Sequence, residues 1–378
     1  MKRYLYNYII KDLPTKIVLL MGARQCGKTT LAKSLYPEFD YFNYDAGEDR
    51  LALKDKTWDR DKPLIIFDEL HKMPRWKQWL KGVYDTEGIP PSLLVTGSAK
   101  LDIFRNVGDS LAGRYFSYRL HPLDIKEIVT ELKQSPENIF QQFWECSGFP
   151  EPYLSGSQNY YKRWQRTHLE IILRQDLIDL HTVKDIKAIE TLVFLLKKRV
   201  GSTVSYANLA QDLQKDTNTI KRWLLLLEEL YIIYRVTPYH NNITRAILKE
   251  PKYYFYDHAQ VQDAPARLEN IVANALLKEL HFIQDTQGEK TDLHFLRTKE
   301  GKEIDFLISI NHQPMYLVEV KTSDDTPAIG FNHFDKMLPN VEKIQLVLNL
   351  KREKTLQNGL AIRALIPWLA KINFSKNQ

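Results

Sequence analysis

The sequence predicts an α/β fold whose first third contains a parallel sheet. Residues 16–22, KIVLLMG, and residues 63–70, PLIIFDEL, are short and almost continuous apolar runs, which is typical of parallel strands buried on both faces. The segment 30–39, TLAKSLYPEF, carries apolar residues at helical spacing. A strand, a loop and a helix in this order are the unit from which parallel sheets are built.

Composition fits a globular protein of two or three domains. The chain has 378 residues, of which 44% are hydrophobic and 26% are charged. Its net charge of +6 has the sign that attracts a phosphate-rich partner. Cys26 and Cys146 are too far apart for a disulfide framework, which favours a reducing compartment. The polar N-terminus and the lack of an apolar run of roughly 20 residues predict a cytoplasmic protein that does not enter the membrane.

The loop after the first strand is a candidate phosphate-binding site. Residues 22–30 read GARQCGKTT, and the backbone N–H groups of such a loop, aided by the helix dipole, bind anionic phosphate. Lys28 is expected to reach the outer phosphates of ATP, and the Thr29 hydroxyl is expected to bind Mg²⁺. Nucleotide contacts are expected from Gly22, Ala23, Arg24, Gln25, Cys26, Gly27, Lys28, Thr29 and Thr30. The alternative is a coincidental glycine turn.

Polar residues also follow the next two predicted strands. Asp68 is expected in the Mg²⁺ shell, and Glu69 is expected to activate the attacking water. The alternative is a pair of solvated acids. A third run, SLLVTGSAK (92–100), carries Thr96 and Ser98 near its carboxyl end, where open α/β sheets bind ligands. Ser98 is either a catalytic residue that positions the water or reads the γ-phosphate, or an ordinary turn serine.

Arg114, in LAGRY (111–115), is a candidate catalytic arginine. Its planar charged group suits a transition state that builds charge on phosphate oxygens. Three roles stay open at this point. Arg114 acts on its own nucleotide, on that of a neighbouring subunit in a homo-oligomer, or only in a structural ion pair.

The middle of the chain has the order of a winged helix. In residues 204–236 two helical patterns flank a polar turn and precede a β-branched and aromatic run, and the two asparagines at 241–242 offer the turn of a following hairpin. Ile220, Trp223, Leu224 and Leu227 share one face of the second helix and leave Asn218, Lys221 and Arg222 on the other. That second face is a candidate DNA-binding surface. The alternative is a fold used only for packing between domains.

The last third predicts a helix followed by strands. The helix covers 267–280, and the strands cover 291–299, 301–310, 315–323 and 343–350. Glu319 and Lys321 point to one face because a strand has a period of two, and Asp305 comes from the preceding strand. Their neighbours are apolar, and buried charges are costly unless they are paired or bound to metal. Two carboxylates with a lysine can hold Mg²⁺ and orient a water at a phosphodiester.

The order of the motifs resembles a known family. GARQCGKTT, LIIFDEL, LVTGSAK, LAGRY, HPLDIKEI (121–128) and SGFPEPYL (147–154) are similar to an AAA-like ATPase family of the AAA_14 type, found in bacteria and archaea. Its members carry a C-terminal domain named DUF4143. The resemblance spans most of the chain and implies a P-loop NTPase core with a short helical lid near residues 121–155.

The C-terminal constellation resembles the PD-(D/E)xK nuclease superfamily, whose fold is also reported for the DUF4143 domain. Glu269 matches the helix acid of that superfamily, Asp305 its first motif acid, and Glu319-Val320-Lys321 its E-x-K element, while Ile304 replaces the usual proline. The resemblance implies that Glu269, Asp305 and Glu319 bind metal and that Asp305, Glu319 and Lys321 are catalytic. The alternative is a degenerate scaffold with a structural Glu-Lys pair.

Together these patterns predict three domains. They are an AAA-like ATPase domain with its lid (1–155), a helical and winged-helix region (156–262), and a nuclease-like α/β domain (263–378). The leading hypothesis is an ATP-hydrolysing enzyme that acts on nucleic acid, DNA first, with a metal-dependent nuclease site. The alternative is a nucleotide-dependent switch or DNA-binding regulator whose last domain is an inactive interaction scaffold.

Overall fold

A computed structural model describes residues 1–98, 111–173, 185–239, 250–298 and 300–375. The asparagine turn predicted at 241–242 lies outside the described residues, as do the last two residues of the 92–100 segment. Close packing divides the chain into unit 1 (1–122) and unit 2 (123–378). No helix in the described ranges is both long enough and apolar enough to cross a membrane.

Unit 1 is built on the predicted parallel sheet. Its helices are α1 (Tyr6–Asp12), α2 (Lys28–Ser34), α3 (Gly47–Asp55) and α4 (Trp76–Glu87), and its strands are β1 (Ile17–Gly22), β2 (Asp40–Asn43), β3 (Leu64–Asp68), β4 (Ser92–Gly97) and β5 (Tyr115–Leu120). The strand order is β2-β3-β4-β1-β5, and every pair is parallel. The predicted α/β class is therefore confirmed.

The central strands of unit 1 are buried because their sequences are mostly apolar. Every residue of β1, β3 and β4 is buried, including the polar residues Asp68, Ser92 and Thr96. Since all strands run in one direction, the ends of β1, β3 and β4 meet at one edge of the sheet. Register pairs Asp68 with Thr96 and Met21 with Gly97. This edge receives the phosphate loop and the predicted acids.

Unit 2 begins with a run of helices, and further helices follow among its strands. The opening run is α5 (Ile125–Leu132), α6 (Pro136–Cys146), α7 (Pro150–Ser155), α8 (Gln158–Ile171), α9 (Ile186–Lys197), α10 (Tyr206–Leu213) and α11 (Thr217–Glu229), and the later helices are α12 (Ala264–Gln287), α13 (Ile329–Phe334) and α14 (Leu365–Ala370). Helix α12 is longer than the predicted 267–280. The Asp263 side chain caps its N-terminus, and Gly288 ends it in a left-handed conformation.

The strands of unit 2 form one mixed sheet. They are β6 (Ile233–Pro238), β7 (Lys252–Phe255), β8 (Thr291–Arg297), β9 (Glu303–Ile310), β10 (Gln313–Lys321), β11 (Glu342–Val347), β12 (Lys354–Thr355) and β13 (Ala361–Ala364). Within the described residues the strand order is β12-β13-β11-β10-β9-β8-β6-β7. The strands predicted in the last third are confirmed, and so are the two helices and the strand predicted within 204–236.

The packing groups the chain differently from the predicted domains. The helices of the predicted lid, α5 to α7, fall in unit 2, where Lys278 of α12 pairs with Asp124 and Glu127 at 3.1 and 2.6 Å. Strand β6 pairs with β8, so the predicted second and third domains share a sheet. The ranges 1–155, 156–262 and 263–378 as separate domains stay a prediction.

Candidate nucleotide site and carboxylate cluster

The loop between β1 and α2 needs its two glycines. Gly22 lies so close to the neighbouring strand that a Cβ atom there would be 2.2 Å from the Leu120 carbonyl oxygen. Gly27 has a φ of 96° directly before α2, a conformation that side chains rarely adopt. Cys26 is fully buried and its Sγ donates to the Leu120 carbonyl at 3.4 Å. The turn therefore suits small side chains.

Lys28 is folded onto its own loop. Its Nζ donates to the carbonyl oxygens of Gly22 at 3.0 Å and Ala23 at 2.9 Å, and the side chain is buried. The ammonium group is thus already held above the turn in which phosphate binding is predicted. A bound phosphate can replace the two carbonyl oxygens as the partner of this charge.

Asp68 is fixed by hydrogen bonds from neighbouring elements. Its Oδ2 accepts from the Thr29 hydroxyl at 2.8 Å and from the Tyr41 hydroxyl at 2.7 Å, while its Oδ1 accepts from the Thr96 hydroxyl and from the Glu69 amide. The predicted magnesium residues Thr29 and Asp68 are therefore in direct contact. A hydroxyl and a carboxylate oxygen side by side are ligands that suit Mg²⁺.

Glu69 lies beside Asp68 with its carboxylate held in place. The Ser98 hydroxyl donates to Glu69 Oε2 at 3.2 Å, and His71 Nε2 lies 3.6 Å from the same oxygen. Burial raises the pKa of Glu69, against the opposing effect of the Lys28 charge. Ser98 thus contacts the acid rather than being a free turn serine.

His71 is a neighbour of this site that the sequence analysis missed. Burial lowers its pKa to about 4, so the ring is neutral at physiological pH. Its Nδ1 atom is buried and has no hydrogen-bond partner among the residues that the structure describes. The only sequence signal was its position two residues after Glu69.

Arg114 does not lie at this edge of the sheet. Tyr115, the next residue, pairs with Ile17 at the start of β1, whereas the phosphate loop follows Gly22 at the end of β1. Five strand residues of about 3.3 Å each separate the two ends. Arg114 instead forms a two-point ion pair with Asp85, at 2.7 and 3.2 Å. Arg114 thus lies away from the phosphate loop, and a catalytic role, on its own nucleotide or on a neighbour's, stays a prediction.

The candidate DNA-binding residues occupy the predicted face of α11. Asn218, Lys221 and Arg222 are all exposed. The opposite face is the buried one, with Ile220 and Leu227 fully covered. Helix α10 precedes α11, and β6 pairs antiparallel with β7 after it, which is the order expected of a winged helix. The winged-helix assignment and DNA binding stay predictions.

In unit 2, Asp305 and Glu319 meet where two strands separate. The backbone register between β9 and β10 ends at the pair Phe306 and Val318. Beyond it, the Asp305 amide donates to Glu319 Oε2 at 3.3 Å, and the Val320 amide donates to Asp305 Oδ2 at 2.9 Å. The two acids therefore replace main-chain hydrogen bonds at this end of the strand pair.

Lys321 and Glu319 form the predicted pair on one face of β10. Lys321 Nζ lies 2.6 Å from Glu319 Oε1. Burial raises the pKa of Glu319, and the contact with Lys321 opposes that rise. Burial also raises the pKa of Asp305 well above its ordinary value, and the nearby carboxylates of Glu269 and Glu319 raise it further. The cluster is thus short of positive charge around Asp305.

A lysine that sequence reasoning missed lies among these acids. Lys252, at the start of β7, is only 1% exposed, and its Nζ lies 2.6 Å from Glu303, 3.2 Å from Glu269 and 3.9 Å from Asp305. The Tyr254 hydroxyl also donates to Glu269 Oε1 at 2.6 Å. Glu303 was missed as well. In the sequence Lys252 resembles any polar residue before a strand.

As they stand, the predicted ligands of unit 2 do not fit a metal ion. A divalent cation needs several oxygen atoms directed at one point. Lys252 Nζ already occupies the space that Glu269 and Asp305 share, and Glu319 is engaged by Lys321 and by the Asp305 amide. Across the described ranges, no three His, Cys, Asp or Glu side chains are grouped to hold a metal.

Fold and loop geometry define a P-loop nucleotide-binding protein, and comparison with protein families agrees. Residues 14–129 match the AAA_14 family, described as an AAA domain, and residues 266–367 match DUF4143, a domain of unknown function. Between them, residues 137–264 match DUF8612, also a domain of unknown function. The chain therefore combines an N-terminal AAA_14 domain with a C-terminal DUF4143 domain, the architecture that the motif order predicts.

Similar proteins occur in bacteria and in the archaeon Methanocaldococcus jannaschii. An uncharacterised protein of Mycobacterium tuberculosis is 25% identical over 329 residues, which cover 83% of this chain and 72% of that one. An uncharacterised protein of Haemophilus influenzae is 22% identical over 397 residues, covering 93% and 94%. Among solved structures, the RuvB Holliday junction branch migration motor of Thermotoga maritima is 17% identical with a TM-score of 0.32, covering 61% of this chain and 86% of that one.

Proposed function

We propose that the protein binds ATP with Mg²⁺ in unit 1 and hydrolyses it. The observation that carries this proposal is the contact of 2.8 Å between the Thr29 hydroxyl and Asp68, directly after a glycine loop whose lysine is poised above the turn. The AAA family match over residues 14–129 supports it. The other nucleotide contacts are those expected from residues 22–30.

In this proposal, each residue of the nucleotide site has its own role in hydrolysis. Lys28 exchanges its two loop carbonyl partners for oxygens of the outer phosphates. Thr29 and Asp68 hold Mg²⁺, which neutralises and orients the phosphate charge when bound. Glu69 accepts a proton from the attacking water, while Ser98 fixes the orientation of its carboxylate through the 3.2 Å hydrogen bond. Asp68 is held by Tyr41 and Thr96, so the two adjacent acids keep separate roles.

Replacing Lys28 with alanine tests the proposal. ATP turnover is expected to fall by at least about 10²-fold, because the charge that binds the outer phosphates is removed. Lys54→Ala is the matched control, since Lys54 is an exposed lysine of α3 in the same unit. Turnover is measured as phosphate release with Mg²⁺ at saturating ATP. Equal turnover in Lys28→Ala and the wild type would refute the assignment of the loop.

We also propose that unit 2 binds nucleic acid through α11, so that the protein acts as a nucleotide-dependent switch on DNA. Support comes from the exposed Asn218, Lys221 and Arg222 on the face opposite the buried one. The net charge of +6 has the sign that attracts phosphate backbones. The sheet of unit 2 acts in this proposal as an interaction scaffold, since its acids do not fit a metal as they stand.

The double change Lys221→Ala and Arg222→Ala is expected to weaken DNA binding. We expect a loss of about tenfold in affinity and a fall of about two in the slope of log affinity against log salt. Fluorescence anisotropy with labelled duplex at several salt concentrations measures both quantities. The control is Arg163→Ala with Lys187→Ala, which removes the same charges from exposed positions of α8 and α9. An equal loss of DNA affinity in the control would show that α11 is not the specific binding surface.

A further inference from the structure

The acids of unit 2 already have a cation of their own. Lys252 Nζ lies within 4 Å of carboxylate oxygens from three residues, at 2.6 Å from Glu303 Oε1, 3.2 Å from Glu269 Oε1 and 3.9 Å from Asp305 Oδ1. These residues come from β9 and α12, and Lys252 comes from β7. One ammonium group thus ties together three elements, β7, α12 and β9.

Burial makes this arrangement specific. Lys252 is 1% exposed, and a buried ammonium group is retained only if carboxylates or hydrogen-bond acceptors surround it. Burial alone lowers the pKa of Lys252, but Glu269, Asp305 and Glu303 together raise it above the ordinary value, so the group stays charged. The ring of Phe295, 5.3 Å away, contributes a further favourable contact.

Two further cations lie beside the acids of this cluster within the described part of the chain. The acids of the cluster are Glu269, Glu303, Asp305 and Glu319, and its cations are Lys252, Lys321 and Arg297. Arg297 Nε lies 3.6 Å from Glu303, and Lys321 Nζ lies 2.6 Å from Glu319. Among the described residues, three cations thus face four carboxyl groups.

We propose that Lys252 takes the place of a metal ion in this cluster, so that the folded protein excludes divalent cations from Glu269 and Asp305 and holds the two acids as a structural core. A divalent cation placed between these acids would lie beside the ammonium group and would be repelled by it. The space becomes a divalent cation site only when Lys252 is removed. This inference does not depend on ATP hydrolysis in unit 1.

The experiment compares Mn²⁺ binding by the full chain in the absence of nucleotide. Bound Mn²⁺ is counted by electron paramagnetic resonance, and thermal stability is followed with and without Mn²⁺. The wild type and Asp305→Asn are expected to bind the same number of Mn²⁺ ions, because neither protein holds an ion in the cluster. Lys252→Ala is expected to melt at a lower temperature than the wild type. It is also expected to bind one additional Mn²⁺ ion, with an affinity for the cluster at least about tenfold higher than that of the wild type. Bound Mn²⁺ is expected to raise the melting temperature of this variant again.

Two further variants make the result specific. Lys252→Ala combined with Asp305→Asn is expected to lose the additional Mn²⁺, because one of the exposed ligands is gone. Lys343→Ala removes another buried lysine of unit 2, whose one carboxylate partner among the described residues is Asp335 at 2.5 Å. This variant is expected to melt lower without rescue by Mn²⁺. Rescue of Lys343→Ala to the same extent would overturn the proposal, because the effect would then be general.

The proposal can be refuted without the Lys252→Ala variant, in case that variant fails to fold. Wild-type binding of a Mn²⁺ ion that Asp305→Asn abolishes would show that the cluster holds metal with Lys252 in place. DNA cleavage by the wild type in Mn²⁺ that Asp305→Ala abolishes would do the same and would support the predicted nuclease. ATP turnover of the same samples is measured in parallel, so that loss of unit 1 is recognised separately.

Discussion

Glu69→Gln is expected to leave ATP binding intact and to lower turnover by a factor of about 10²–10⁴. Glutamine keeps the shape of the side chain and can still contact Ser98, whose hydroxyl lies 3.2 Å from the carboxylate. What it loses is the ability to accept a proton from water. Asp68 does not replace it, because the proposal assigns Asp68 to Mg²⁺, and hydrogen bonds from Thr29, Tyr41 and Thr96 hold its carboxylate in that position.

The pH dependence of turnover is a second test of Glu69 as the base. Burial raises the pKa of Glu69, so at mildly acidic pH this base is protonated to a greater extent than an exposed glutamate. Turnover of the wild type is therefore expected to fall, as the pH is lowered, at a higher pH than an ordinary glutamate would give. The residual turnover of Glu69→Gln is expected not to show this fall at low pH, because glutamine has no proton to gain.

Binding and turnover must be measured separately for this prediction. Affinity for a fluorescent ATP analogue, determined with Mg²⁺, is expected to be within about twofold of the wild type. Ser98→Ala is the milder companion variant, since it removes the hydroxyl that orients Glu69 and leaves the base in place. Turnover of Glu69→Gln equal to that of the wild type would rule out Glu69 as the base, and loss of ATP binding would point to misfolding instead.

Local sequence predicted the nucleotide edge of unit 1 well. Strands β1, β3 and β4 are each a single apolar run that ends in glycine or a polar residue, and parallel strands of this kind bring their carboxyl ends to one edge. The contact between Thr29 and Asp68 follows from that edge alone. Tyr41 could not be found in this way, because β2 is a short, half-buried strand without a distinctive pattern.

Arg114 and Lys252 show where local patterns fail. The role of Arg114 depends on which end of β5 lies beside the loop, and the parallel pairing of Tyr115 with Ile17 is a property of the sheet rather than of LAGRY. Lys252 contacts Glu269, which lies 17 positions later in the chain, and Asp305, which lies 53 positions later. A lysine at the start of a strand is usually exposed, and only the assembled sheet buries this one.

Gly22→Ala is expected to destabilise unit 1 by about 3–5 kcal/mol and to abolish ATP binding. The added Cβ would lie 2.2 Å from the Leu120 carbonyl oxygen and 3.2 Å from Cys26 Sγ, while the φ of 153° would also be strained. Leu120 cannot retreat freely, because it is paired with Gly22 in the ladder between β1 and β5. Relief of the contact therefore requires the loop or the strand pair to move, and either movement displaces the groups that bind phosphate.

Substitutions at two other glycines of unit 1 distinguish the close contact of the added Cβ from backbone strain as causes of the lost stability. Gly82 lies inside α4 with no atom within 4 Å of an added Cβ, so Gly82→Ala is expected to stabilise by about 0.5–1 kcal/mol. Gly88 has a φ of 73° but equally open surroundings, so Gly88→Ala reports backbone strain alone, at about 1 kcal/mol. Calorimetry and ATP titration of the three variants give the comparison. If Gly22→Ala melts no lower than Gly88→Ala and binds ATP, the close approach of β1 to Leu120 is not what requires glycine at this position.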